Sequence, residues 1–269
     1  MTSKWNVVPL RDLISFMSKG IAPSYSDCST PTTVRVLNQK CNRNFQIDYA
    51  ESRWHDTAKK KVPSERYVQP QDILINSTGA GTAGRIAQID HVPRETTVDG
   101  HMIIIRANDK VTPKFLGYAL KSHQWEVLQL DEGSTGQTEL NRERLLDEIM
   151  ICYPDSLDLQ DEIVATLEGI DGKLKINRAI NDNLAELLQT VYQEQFGGIS
   201  VATEQGMLSD ICSYSRDRVA VSELNTSTYF STENMLPGKA GATEATSLPT
   251  IPQTTACHKG DTMISNILH

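Results

Sequence analysis

Several features that would quickly place a protein are scarce in this sequence. Aromatic residues fill only 6% of the 269 positions, and no apolar run approaches the roughly 18 uncharged residues that a membrane span requires. The opening Met1-Thr2-Ser3-Lys4-Trp5-Asn6 has no apolar core of a secretory leader, so the chain reads as cytoplasmic, with no membrane partner. The five cysteines (28, 41, 152, 212 and 257) are odd in number, scattered, and form no C-x-x-C pair. That pattern excludes a secreted disulfide framework and a zinc finger. Cys257-His258 is adjacent but solitary, which is no ligand set. There is no basic excess: 26 Lys and Arg stand against 34 Asp and Glu, a net charge of −8. Disorder is excluded in turn, because 39% of the residues are apolar and both signs of charge are mixed.

Catalytic signatures are missing as well. The chain has no G-x-S-x-G, no H-E-x-x-H, no phosphate-binding loop with Lys, and no Asn/Asp-Pro-Pro-aromatic motif of amino-methyltransferases. Gly79-Ala80-Gly81-Thr82-Ala83-Gly84 satisfies G-x-G-x-x-G, but a dinucleotide site needs a helix next, to face the pyrophosphate. Arg85-Ile86-Ala87-Gln88-Ile89 reads instead as a strand, so the motif is a glycine-rich hairpin loop. Asp131-Glu132 and Asp147-Glu148 read as loop and strand-edge carboxylates, not as an acid–base pair. No cofactor and no catalytic residue are expected on this chain.

What is present is uneven. Residues 1–155 hold 19 basic and 19 acidic side chains; residues 156–196 hold 3 and 8; residues 197–269 hold 4 and 7. Within the neutral segment, residues 34–66 hold 8 basic and 4 acidic residues, a local +4, with Phe45, Tyr49, Trp54 and Tyr67 interleaved or adjacent. Such an island attracts phosphates even on an acidic chain.

The first segment predicts mixed α and β structure. Leu10, Leu13, Ile14 and Met17 have helical spacing, stopped by Gly20 and Pro23. Asp72–Asn76 and Arg85–Asp90 read as hairpin strands, and His101–Arg106 as a strand buried on both faces. Thr112-Pro113 caps and starts a helix, with Leu116, Leu120, Val127 and Leu128 for its buried side. Glu148–Tyr153 reads as a further strand, stopped by Pro154.

From Leu157 to Phe196 there is no proline, and apolar residues recur at Ile163, Leu167, Ile170, Leu174, Leu184, Leu188 and Val191. The alternating four–three spacing is a coiled-coil seam, with Asn177 and Asn181 as polar seam positions that specify register or partner. A helix of about forty residues is roughly 60 Å long at 1.5 Å per residue, and it needs a partner helix to bury its seam. Gly169 and Gly172 mark a possible weak point. Beyond Gly197-Gly198 the start of the chain returns. Leu10-Arg11-Asp12-Leu13 recurs as Leu208-Ser209-Asp210-Ile211, and Asp72–Ser77 as Asp261–Asn266. The second copy, read up to His269, holds nothing that matches residues 78–196.

Four pieces in order resemble the specificity (S) subunit of type I restriction–modification systems. They are Trp5…Val8-Pro9-Leu10-Arg11-Asp12-Leu13 with Lys19-Gly20-Ile21-Ala22-Pro23; Val68–Gly79; Gly133–Asn141 with the strand to Tyr153-Pro154; and Leu159-Gln160-Asp161-Glu162-Ile163 with Leu167…Ile170-Asp171. Gln71 departs from the family, which usually has Gly there, and the second half is short, so the resemblance is to a subunit truncated within its second recognition domain. The resemblance implies an α+β target-recognition domain (1–155), a long coiled-coil-forming spacer helix (156–196) and an incomplete second target-recognition domain (197–269). It further implies that the chain binds double-stranded DNA at a bipartite target. Its other implied partners are DNA methyltransferase (modification) subunits and, through them, the restriction subunit. Methyl transfer, ATP use and cleavage would belong to those partners. A self-dimer, or pairing with another specificity chain, would complete the short half.

On that reading the candidate base-reading residues are Asn38, Gln39, Lys40, Asn42, Arg43 and Asn44, because Arg and Lys suit guanine and Asn and Gln suit adenine. Lys59, Lys60, Lys61 and Arg66 would neutralise phosphates. Asn76, Ser77, Thr78 and Arg85 would contribute from the hairpin, and Ser134, Thr135 and Gln137 from another loop. An alternative is a non-catalytic interaction scaffold that dimerises through the long helix; random-duplex binding with a bipartite preference separates the two. A dinucleotide enzyme built on the glycine motif would instead bind cofactor in a calorimeter.

Overall fold

The computed structural model describes residues 4–79, 81–132, 139–197, 206–236 and 241–263. Strands and helices are numbered in chain order. The chain divides into two compact units, residues 1–186 and 187–269.

The first unit is built around β11 (Met102–Ala107), the β-branched run of the sequence. It pairs antiparallel with β2 (Ile14–Lys19) on one side and with β8 (Ile73–Asn76) on the other, and β8 pairs with β9 (Ile86–Gln88). Side chains alternate across a strand, so one run serves two cores. Ile103, Ile105, Ile73 and Ile75 enter a core with Leu10, Leu13, Leu116, Leu120, Leu145 and Ile151. Met102, Ile104 and Leu74 enter a second core with Leu37, Cys41, Ile89 and Val98. Each such buried side chain contributes about 1.5–3 kcal/mol relative to exposure. The cores are closed by two groups of elements. On the first side lie α1 (Pro113–Ser122), the short α2 (Gln124–Val127), α3 (Arg142–Glu148), and the pair β1 (Trp5–Pro9) with β14 (Met150–Pro154). On the second lies a sheet in the order β10 (Thr96–Val98), β4 (Thr33–Leu37), β7 (Arg53–Asp56), β3 (Tyr25–Ser26). Two small hairpins complete the unit: β5 (Asn42–Arg43) with β6 (Gln46–Ile47), and β12 (Asp131–Glu132) with β13 (Glu139–Leu140).

The four strand expectations and the α1 cap are met: Thr112 Oγ1 accepts from the Phe115 amide at 3.4 Å, with Pro113 at the first helical position. The expected helix over Leu10–Met17 is a correction. The chain makes one 3-10 turn, Leu10–Leu13, and then enters β2. A β-bulge explains the misleading spacing. Phe16 opposes Arg106 and Ile14 opposes Ala107, so Ser15 is an extra residue in β2. The extra residue turns Ile14 to the same side as Met17, and both pack on the first core. A bulged strand thus imitates the three-residue spacing of a helix face.

Gln71 sits at φ +73°, in the left-handed region that favours glycine. Its amide donates to Ile89 O at 2.7 Å and its carbonyl accepts from the Gln88 side chain at 3.1 Å, so the turn into β8 requires this conformation.

The long helix α4 runs unbroken from Leu157 to Tyr192, through Gly169 and Gly172, and ends in a single π-helical turn, Gln193–Gly197. Gln160 fixes its start. The fully buried Gln160 side chain accepts from Thr112 N at 2.7 Å and donates to Pro154 O and Lys110 O. Asp171, four turns into the helix by the 3.6-residue period, accepts from Tyr118 (3.0 Å) and Lys121 (2.9 Å) of α1, while Lys114 pairs with Glu168. These hydrogen bonds, Lys121 first, hold the Asp171 carboxyl below its ordinary range. No helix among the described residues is long and apolar enough to cross a membrane.

In the second unit β15 (Arg218–Ala220) pairs antiparallel with β16 (Gln253–Thr255), among 3-10 turns at Leu208–Asp210, Val221–Glu223 and Thr232–Asn234. Of its described residues, Asn234 and Ala245 are buried.

Candidate nucleic-acid interface

One end of the β2–β11–β8–β9 sheet gathers residues far apart in sequence. There β2 finishes at Lys19, β11 begins after His101, and β8 finishes before Ser77-Thr78 and the glycine loop that turns into β9. The 3-10 turn Gln39–Cys41, which follows β4 of the other sheet, meets Asn76: Asn76 Nδ2 donates to Gln39 O at 3.1 Å. Thr78 Oγ1 lies 2.7 Å from His101 Nδ1 and 3.5 Å from Gln39 Oε1. Lys19 pairs with Glu139, and Thr78 is bridged to Glu139 through the backbone. Beside Lys19, the Glu139 carboxyl is held below its ordinary range. Arg53, on β7, stacks on the Tyr25 ring at 3.5 Å from its centroid. Buried Asp99 receives the His101 amide at 2.9 Å, and burial pushes its carboxyl upward.

The segment Gly20–Ser24 links this end to the lysine turn. Arg66 donates to Gly20 O at 3.2 Å, Lys60 Nζ to Ala22 O at 2.9 Å, and Ser24 N to the buried His55 ring at 2.8 Å. Gly20 is required here, since an added Cβ would meet Val98 O at 2.1 Å. Lys59, Lys60 and Lys61 are exposed. Lys59 reaches Asp56 only at 3.9 Å.

The sequence-predicted residues therefore fall into three groups. Gln39, Lys40, Arg43, Asn44, the three lysines, Arg66, Thr78 and Arg85 keep at least partial exposure. Asn38 is committed in part, because its side chain caps the Gln39–Cys41 turn at Lys40 N and donates to Glu51 O. Asn44 and Phe45 occupy left-handed backbone at φ +52° and +61°, the two central positions of the tight β5–β6 turn. Arg85 donates to Gly81 O at 3.2 Å across the glycine loop.

Asn42, Asn76 and Ser77 are corrections. All three are fully buried and hold protein partners. Asn42 Nδ2 donates to Arg85 O at 2.8 Å and Asn76 Oδ1 at 3.2 Å, pinning the β5–β6 hairpin across β8 and β9. Ser77 Oγ faces Gly100 O at 3.5 Å. A base edge cannot reach these side chains in this fold. Ser134, Thr135 and Gln137 lie outside the described residues. Lys19, Arg53, Tyr25 and His101 were missed. The available signal was position, since loops at one end of a sheet carry function, but which loops share an end is a tertiary fact.

The glycine motif lies in the hairpin between β8 and β9, as expected, with no helix following. Asp147 pairs with Arg11 and Glu148 with Arg144 at 2.6 Å, so the α3 carboxylates are charge-paired. The thiol of buried Cys41 is pushed up to about 11, chiefly by burial, which makes it inert.

The helix seam divides in two. Ile163 and Leu167 are half-buried, and Ile163 packs on the first core. Ile170, Leu174, Asn177, Asn181, Leu184, Leu188 and Val191 are exposed, with Leu188 at 71%. Ile176, Ile180 and Leu187 form a further exposed stripe beside them.

The family model described as the type I restriction modification DNA specificity domain matches residues 2–186. The chain belongs to this family. Solved structures similar to this specificity chain include the S subunit of a type I restriction–modification system from M. genitalium. It is 16% identical with a TM-score of 0.46, over 93% of this chain and 64% of that one. A second, described under the structural basis of complex assembly and conformational transition of the type I R-M system, is 17% identical with a TM-score of 0.50, over 71% and 44%. A third, the HsdS subunit from Thermoanaerobacter tengcongensis, is 17% identical with a TM-score of 0.46, over 74% and 46%. The chain thus spans less than two thirds of the length of each. No curated protein sequence matches it.

Proposed function

We propose that this chain is a cytoplasmic, non-catalytic, sequence-specific DNA-binding subunit. It directs the modification subunits of a type I restriction–modification complex, and through them the restriction subunit, to a bipartite duplex target. One observation carries the reading: within a specificity domain, Gln39, Thr78, His101 and Lys19 gather at one sheet end, which Gly20–Ser24 joins to an exposed lysine turn. Polar side chains that read base edges lie beside cations that neutralise phosphates, the division of labour duplex recognition uses.

The exposed seam supports helix pairing. More than five turns of α4 leave their apolar residues in water, and a stripe beside the seam adds surface beyond what one partner helix covers. A second copy of this chain, or another specificity chain, pairs antiparallel along the seam, and the modification subunits take the adjoining face. Two copies would then present two identical recognition domains to a palindromic split target.

The test is the triple substitution Lys59→Ala, Lys60→Ala and Lys61→Ala, with duplex binding measured at two salt concentrations. Affinity is expected to fall on all sequences, and the dependence on salt to flatten by up to about three phosphate contacts. Unchanged affinity and slope would remove the lysines from the interface. The scaffold alternative, favoured only by the exposed helix, is separated by selection from random duplexes with and without the modification subunit. A strictly monomeric chain by sedimentation would exclude self-pairing.

A further inference from the structure

We infer that Gln39, Thr78 and His101 form one base-reading unit whose exposed face presents a donor beside an acceptor, the pattern of an adenine edge in the major groove. This rests on the DNA-binding reading and names the residues and chemistry that carry specificity within it.

The three side chains come from three separate elements and form a hydrogen-bonded chain, Gln39–Thr78–His101. Gln39 and His101 are anchored through their backbones to buried structure. Gln39 O accepts from fully buried Asn76, His101 O accepts from Ser77 N at 2.8 Å, and His101 N donates to buried Asp99. Gly79, at φ +116°, keeps the Gln39 amide close: a Cβ there would stand 2.9 Å from Gln39 Oε1. The side chains are therefore placed before any ligand arrives, which spares the ordering cost of binding.

Proton counting sets the face they show. The Thr78 hydroxyl has one proton and two neighbours. The Gln39 amide oxygen can only accept, so Thr78 donates to it. His101 Nδ1 then carries the proton that it shares with Thr78 Oγ1, and in the neutral imidazole Nε2 is the bare nitrogen. That leaves His101 Nε2 as an acceptor and the Gln39 NH2 group as a donor, neither with a protein partner among the described residues. Adenine offers the complement, an N6 amine that donates and an N7 that accepts; guanine offers two acceptors. His101 is exposed and Gln39 is half-exposed, so both can meet a base.

The experiment uses the full chain with its modification subunit. Wild type, Gln39→Ala, His101→Ala and Thr78→Val are each selected against randomised duplexes, with melting curves recorded alongside. Wild type should show an adenine preference at a half-site position, of about 10-fold or more. Each variant should flatten that position while its other preferences and its salt dependence stay unchanged; Thr78→Ser should restore it. A second arm needs no altered fold. With 7-deazaadenine at that position, wild type should bind about 10-fold more weakly and Gln39→Ala should show no further loss. Variants that keep the wild-type base profile would overturn this inference alone, as would loss of affinity spread evenly over all sequences. A wild-type complex that selects no sequence would overturn the DNA-reading proposal itself.

Discussion

The same short phrase occurs twice in this chain with opposite fates. Leu10-Arg11-Asp12-Leu13 and Leu208-Ser209-Asp210-Ile211 both lie at 3-10 turns, so the local sequence reproduces its local structure. Yet Leu10 and Leu13 are completely buried, while Leu208 and Ile211 are 68% and 84% exposed. The difference lies elsewhere in the chain. Leu10 N donates to Ile149 O, and the turn sits under α3 and β14, which residues 139–155 supply. In the second repeat Ile73–Asn76 is a buried strand, and the matching phrase lies outside the described residues beyond Met263. A turn is decided by a few neighbouring residues, but burial is decided by what arrives from far along the chain.

The largest test of this contrast is truncation of the paired apolar residues. Leu10→Ala or Leu13→Ala is expected to cost about 2–5 kcal/mol in denaturant unfolding. Leu208→Ala or Ile211→Ala should cost under about 0.5 kcal/mol in the chain alone. A large cost at Leu208 would mean that a partner covers it, and its dependence on protein concentration would say whether the partner is a second copy.

Two buried asparagines, one from each unit, sharpen the comparison from the other side. Asn42 pins a hairpin in the first unit, and Asn234 in the second accepts from Ser231 N at 2.6 Å and donates to Tyr229 O and Thr243 O at 2.9 Å. Asn42→Ala strands buried carbonyls and should cost about 1–3 kcal/mol. If the second unit folds cooperatively, Asn234→Ala will cost a similar amount; hydrogen exchange on residues 225–245 reads it directly. A silent Asn234→Ala would show that this unit gains its order only on association.

Smaller still is Gln71→Gly, which removes the strain of a left-handed side chain and should stabilise the first unit by about 0.5–1 kcal/mol. Loss of stability would show that the Gln71 side chain contributes a contact worth more than the strain. The smallest effect concerns how α4 is tied to α1. The folded Asp171 carboxyl is held below its unfolded value, so its contribution is present above that value and lost as pH falls through the folded one. Asp171→Asn should lower the melting temperature slightly at neutral pH and reduce its drop on acidification between about pH 5 and 2. An identical acid limb would leave helix docking to Gln160, the Lys114–Glu168 pair, and Ile163 with buried Val164 on the first core.

Much of the first unit was legible because its strands are short apolar runs with clear stops, and because Thr112-Pro113 is a strong helix start. The β2 error shows what periodicity cannot resolve: one inserted residue converts a two-residue period into a three-residue one. The candidate site was less legible. Asn42 and Asn76 have the same composition signal as Gln39, yet two are buried pins and one faces solvent. His101 carried no motif and gained its place only when β11 met β8.

The sequence alone determined the strand runs, the long helix with its seam, the repeat, and the absence of catalytic motifs, because each depends on neighbours within a few residues. Only the tertiary structure decided which polar residues are anchors and which remain accessible, and that Lys19, Gln39, Thr78 and His101 share one end of a sheet. Hydrogen-bond partners and solvent access are set by strand register and by residues a hundred positions away, and no local pattern encodes them.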